Sequence, residues 1–176
     1  ALARTSGSEA ISDYIAKLDK TLLTQQQSRM CNDPILNLVL LQFRERCQKQ
    51  NIVFQCDVRE NCLTTLDAPS ITTLYGNLLS NAIEAAERSV DRIIELSVTR
   101  NEEQEIVIIS VVNSCDTAPI PDSHGRFHTR KQDRSVHGVG LRSIQRIVDR
   151  HNGVATMYYD SKNRRFHHVI QLALHN

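Results

Sequence analysis

The stretch Gly76-Asn77-Leu78-Leu79-Ser80-Asn81-Ala82-Ile83-Glu84-Ala85 constrains this chain most, because it sets two asparagines four residues apart in an otherwise apolar helical pattern. Ile71, Leu74, Tyr75, Leu78, Ala82, Ile83 and Ala86 recur at helical spacing, so much of this helix must be buried. Side chains at i and i+4 lie one above the other, which puts Asn77 and Asn81 on a single face. A buried carboxamide costs about 1–3 kcal/mol when its hydrogen bonds go unmade. The pair therefore needs a polar partner, supplied either by the fold or by a ligand.

A second element follows downstream, His137-Gly138-Val139-Gly140-Leu141-Arg142-Ser143-Ile144, which runs into Ile147 and Val148 at helical spacing. Alternating glycines let a backbone approach a ligand closely. The helix they introduce presents unpaired N–H groups and partial positive charge, a setting suited to phosphate. The same pattern also fits an ordinary tight turn before a helix. Thr129-Arg130-Lys131, just upstream, could bring a hydroxyl and cations to the same anion.

The asparagine helix, a strand ending in Val111-Val112-Asn113-Ser114, the Thr-x-Lys loop and the His-Gly-x-Gly-Leu box occur in that order. Together they resemble the GHKL ATP-binding domain of sensor histidine kinases, and more narrowly its accessory-gene-regulator type, the peptide-responsive quorum-sensing subgroup. The resemblance runs from about Asp33 to Leu174. It implies a two-layer α/β sandwich with a mostly antiparallel sheet, with ATP and Mg²⁺ as cofactors.

The resemblance also assigns roles. Asn81 coordinates Mg²⁺ through its side-chain oxygen, which suits a cation that prefers oxygen ligands and retains waters. Asn77 supports the phosphates or the metal's water shell. In the ATP-hydrolysing branch a glutamate at that place activates water; an amide cannot act as a general base, so transfer to a partner is favoured. Glu84, one turn beyond Asn81, organises water at the site or is simply a helix surface charge. Asn113 stands where most of the superfamily has an aspartate that reads the adenine amino group, and Ser114-Cys115-Asp116 replaces the glycines that usually follow. Thr129 and Lys131 meet the triphosphate, with Lys131 as a point charge. Gly138, Val139 and Gly140 wrap the phosphates, Leu141 opens the helix facing them, and His137 touches a phosphate or caps the loop.

The remaining sequence fits this frame. A formal net charge of +1 lacks the concentrated basic excess of a dedicated nucleic-acid binder. Five cysteines in no metal-like spacing suit reduced thiols in a cytoplasmic setting. The longest apolar stretch, Ile35 to Leu41, is far shorter than the roughly 20 residues that span a bilayer. Ser8 to about Met30 reads as a helix with a narrow apolar stripe, capped by Ser8. In the resemblance, residues 1–32 are the second helix of a dimerisation bundle and residues 33–176 the catalytic domain.

Asp33 with Pro34 marks the next helix start; Ile52 to Asp57, and briefly Leu63 to Leu66, read as strands. Ser70 is expected to cap the asparagine helix. Ile93 to Arg100 pairs with Glu105 to Asn113 across a polar turn. Ser114 to Val136 lacks a hydrophobic period and corresponds to the ATP lid. Gly140 to Asn152 is a helix closed by Gly153 in a left-handed cap, before a final hairpin of Val154 to Asp160 and Phe166 to Leu174.

No histidine precedes His124, so the acceptor histidine is expected upstream of this chain. The expected partners are a response regulator and a second copy joined through the bundle, in a sensor whose membrane segments lie elsewhere. Two other readings remain, a degenerate nucleotide-binding regulatory module and a GHKL serine kinase.

Overall fold

Asp33 opens the first helix by accepting a hydrogen bond from the Leu36 N–H at 2.7 Å, with Pro34 in the first turn where no N–H is needed. The structure, a computed structural model, describes residues 29–60, 62, 66–120 and 139–174. Helix α1 (Pro34–Lys49) ends when Asn51 turns left-handed at φ 54°, so that Ile52 N–H reaches the Cys47 carbonyl at 2.9 Å. This is a Schellman ending, and Ile52 and Cys47 are both buried beside it. Replacing Asp33 by alanine removes the N-cap acceptor and is expected to cost about 1 kcal/mol, read from the urea midpoint.

Strand β1 (Val53–Val58) leads to helix α2 (Ala68–Ala86), which carries both asparagines. Its cap is not Ser70 but Asp67, whose carboxylate accepts from the Ser70 N–H at 2.8 Å. Pro69 decides the matter: it fits a first turn, and an acceptor one residue before that turn meets the helix dipole favourably. Strands β2 (Ile93–Asn101) and β3 (Ile106–Ser114) form a hairpin, helix α3 (Val139–Arg150) follows, and β4 (Val154–Asp160) and β5 (Arg165–Ala173) form a second hairpin.

The sheet runs β1-β2-β3-β5-β4; only β1 and β2 are parallel, joined by α2 as a crossover. The expected two-layer α/β sandwich with a mostly antiparallel sheet is therefore present. α2 lies between α1 and α3 and packs on β3. Leu74, Leu78, Leu79 and Ile83 of α2 meet Leu96, Ile109, Ile170 and Leu172 of the sheet in one core. Each such side chain contributes roughly 1.5–3 kcal/mol on burial. The described cysteines carry free thiols, and burial pushes Cys47 up to about 11 and Cys56 to about 12, so both stay protonated and unreactive.

The end of α3 corrects a second expectation. The left-handed residue is Asn152, at φ 48°, not Gly153. Asn152 N–H meets the Asp149 carbonyl at 3.1 Å and Gly153 N–H the Val148 carbonyl at 2.8 Å, the same ending as in α1. Gly153 serves close packing instead: a Cβ there would collide with the Gln171 carbonyl oxygen. The proposed bundle helix lies outside the described residues except for Arg29 and Met30, which are not helical. The short strand at Leu63 to Leu66 falls largely outside them as well, and so does the lid from residue 121 onward.

Candidate functional site

The two polar motifs that lie far apart in the sequence meet where α2 passes the start of α3. Asn77 Nδ2 donates to the Thr73 carbonyl at 2.7 Å, which turns Oδ1 the other way. There it faces Gly140, where a Cβ would stand 2.9 Å from it. Glycine at 140 thus lets the first turn of α3 come up against the Asn77 amide. One turn along, Asn81 is half-buried and has no hydrogen-bond partner among the described residues.

Asn81 stands at a cavity of about 190 Å³ between α2, the sheet and the start of α3. Leu78, Ala82 and Glu84 of α2, with Arg88 just past its end, line one side, and Leu141 of α3 another. Val111 and Asn113 of β3, Phe166 and His168 of β5 and Met157 of β4 form its floor. The register explains that set: Val111 pairs with His168, Met157 pairs with His168, and Asn113 pairs with Phe166, all on the helix-covered face. A cavity of this size suits one flat ring system rather than a whole drug-sized ligand.

At its edge, Asn113 is only 4% exposed. Its Nδ2 donates to the Ser114 carbonyl at 2.9 Å. Because a carbonyl can only accept, this bond orients the amide and leaves Oδ1 as the acceptor. Ser114 is itself pinned, its Oγ 2.6 Å from Ser89 Oγ beyond the end of α2 and accepting from the Ile93 N–H at 3.0 Å. The segment after it is held too: Tyr159 donates to the Cys115 carbonyl at 3.0 Å, and Asp116 accepts from the Val90 N–H at 2.7 Å. An Arg164–Asp116 ion pair at 3.4 Å completes this rim.

His168 was not singled out by the sequence, although alternation in β5 puts it on the same face as Ile170 and Leu172. It is 7% exposed, its Nε2 has no partner among the described residues, and burial pushes its pKa down to about 4. The unfolded chain therefore takes up a proton between pH 6.5 and 4 that the folded chain resists, so stability falls as pH falls through this window. The loss between pH 7 and pH 5 is expected to be about 2 kcal/mol from this residue. Urea midpoints at the two pH values should show it, and a His168→Phe variant should remove that share, leaving the part due to other groups.

Of the other sequence candidates, Leu141, Glu84 and Gly140 are within this assembly. Val139 begins α3. Thr129, Lys131, His137 and Gly138 lie outside the described residues. Among the described residues no cluster of three or more His, Cys, Asp or Glu is arranged to hold a metal. No helix among them is long and apolar enough to cross a membrane.

The family model for the GHKL domain matches residues 66–173, more than half of the chain. The chain belongs to the GHKL domain family. The matched span of this GHKL domain contains α2, the whole cavity floor and α3. A relative, the sensor histidine kinase DpiB of Escherichia coli strain K12, is 33% identical over 100 residues. That match takes in 52% of this chain but spans only 17% of the relative's length. Among solved structures, the catalytic domain of histidine kinase ThkA superposes with a TM-score of 0.59 at 22% identity, covering 79% of this chain and 90% of that one. Full-length ShkA in complex with AMPPNP gives a TM-score of 0.58 at 17% identity, covering 78% of this chain and 29% of that one. At these identities the two structures speak for the GHKL fold alone.

Proposed function

We propose that this chain is the ATP-binding catalytic region of a two-component sensor histidine kinase. The observation that carries the reading is Asn113, buried at the cavity edge and turned so that Oδ1 accepts. An acceptor there meets the exocyclic amine of adenine as the usual aspartate would, which offsets the departure from the family pattern. The DpiB match and the AMPPNP complex of ShkA support the same reading.

The residues fit the groups the family uses. The apolar walls from Val111, Leu141, Met157 and Phe166 would sandwich the base. Asn81, unpartnered among the described residues at the cavity, would offer Mg²⁺ one oxygen, and the rest of the shell would come from phosphates and water. Bound ATP supplies the phosphoryl group, and the metal offsets its charge. Asn77 holds its place beside Gly140 through the Thr73 carbonyl and, being an amide, does not activate water. Thr129, Lys131, His137 and Gly138 are assigned to the triphosphate. Phosphoryl transfer rests on such positioning and charge neutralisation, so no further general base is required of this domain.

The acceptor is a histidine outside this chain, within a paired helical bundle, and the phosphoryl group passes on to a response regulator. The Asn113-Ser114 strand end favours the peptide-responsive subgroup, and the parent protein is a membrane sensor. The test is transfer from labelled ATP in a version extended upstream to include the acceptor helix. Acid-labile label on a histidine supports the kinase. Label on a serine supports the serine-kinase alternative, and bound nucleotide without any transfer supports a regulatory module.

A further inference from the structure

The cavity floor carries a second polar group besides Asn113. His168 lies in β5 opposite Val111, and Asn113 lies opposite Phe166, so His168 and Asn113 are diagonal neighbours across the β3–β5 pair. Such neighbours stand roughly 7–8 Å apart. Around them the floor is apolar, made by Val111, Met157 and Phe166. His168 is more than nine-tenths buried, yet its Nε2 meets no donor or acceptor among the described residues. A buried polar atom without a partner is costly, and native folds retain few of them. Structure alone gives no return for this one. Phenylalanine, of similar shape, would fill the place without the penalty.

We propose that His168 is a specificity-determining residue of the cavity, hydrogen-bonding the polar edge of a flat heteroaromatic base whose amine meets Asn113. The proposal rests on the nucleotide reading above and adds to it a base-reading group. Burial keeps the imidazole neutral at ordinary pH, so it presents one N–H donor and one acceptor nitrogen. Two polar points about one fused ring apart, set in an apolar slot, select a base with hydrogen-bonding groups on two edges. A plain aromatic ring of equal size would leave both unpaired.

The test compares the wild-type chain with His168→Phe and His168→Gln by titration calorimetry with AMPPNP and Mg²⁺, with thermal melting of each. His168→Phe is expected to bind about tenfold more weakly while melting at the same or a higher temperature at pH 7. His168→Gln, which keeps a donor and an acceptor, is expected to recover most of the affinity. A His168→Phe variant that binds as tightly as the wild type overturns the proposal. In the unaltered chain, the ¹⁵N resonances of the His168 imidazole should move on saturation with AMPPNP. If they stay in place, the proposal fails irrespective of how the variants fold. A wild-type chain that binds no AMPPNP sinks the nucleotide reading itself, a different result from intact binding that ignores His168.

Discussion

An Asn81→Ala variant is expected to lose up to about a hundredfold in affinity for an ATP analogue in the presence of Mg²⁺, with its melting temperature preserved. The size follows from removing one oxygen contact to a charged centre, worth roughly 1.5–3 kcal/mol. The preserved fold follows from the structure. Asn81 is half-buried and holds nothing among the described residues, so its amide contributes no internal bond to lose. Alanine is also the better helix former. Without Mg²⁺ the two proteins should bind nucleotide alike. Calorimetry in paired buffers reads both points, and an equal loss with and without the metal would remove Asn81 from the metal's shell.

Gly153→Ala should produce the largest change in stability, about 3 kcal/mol, or roughly 10 °C in Tm. The added Cβ would meet the Gln171 carbonyl oxygen, and it would lie 2.8 Å from Leu172 Cδ2 and 3.1 Å from the Val148 carbonyl. Two of those three atoms are backbone, held by the β5 ladder and the end of α3, so neither can step aside cheaply. Gly76→Ala is the opposite case. It sits in the middle of α2, where an added methyl would meet nothing within 4 Å, and alanine there should add roughly 0.5–1 kcal/mol. Urea unfolding of both variants checks the pair, and a neutral Gly153→Ala would show that the α3–β5 junction gives way.

Local chemistry made most of the fold legible. Asp33-Pro34 announced α1 because an acceptor followed by proline fits the start of a helix and little else. The strands were legible from alternation, to within a residue or two at their ends. Caps were less so where two suitable residues compete. Asp67 and Ser70 can both cap, and Asn152 and Gly153 can both follow a helix. In the second pair the long-range approach of β5 fixed glycine at 153 and left the left-handed turn to asparagine.

The cavity floor was the least legible part. His168, Phe166 and Met157 come together through the register of three strands, which no local window contains. The orientation of Asn113 likewise depends on the carbonyl of Ser114, a residue pinned by Ser89 and Ile93 from a distant part of the sequence. Asn77, Asn81 and Gly140 stand out in the sequence because residue type and spacing suggest a chemistry directly. The structure adds the contact between Asn77 and Gly140 that joins those motifs.

On the proposed reading, this domain holds a nucleotide between Asn113 and Asn81. Titration of the wild-type chain with AMPPNP, with and without Mg²⁺, tests it most directly. Saturable binding at one site per chain, tightened by the metal, is the expected result. No heat of binding at millimolar nucleotide would contradict it.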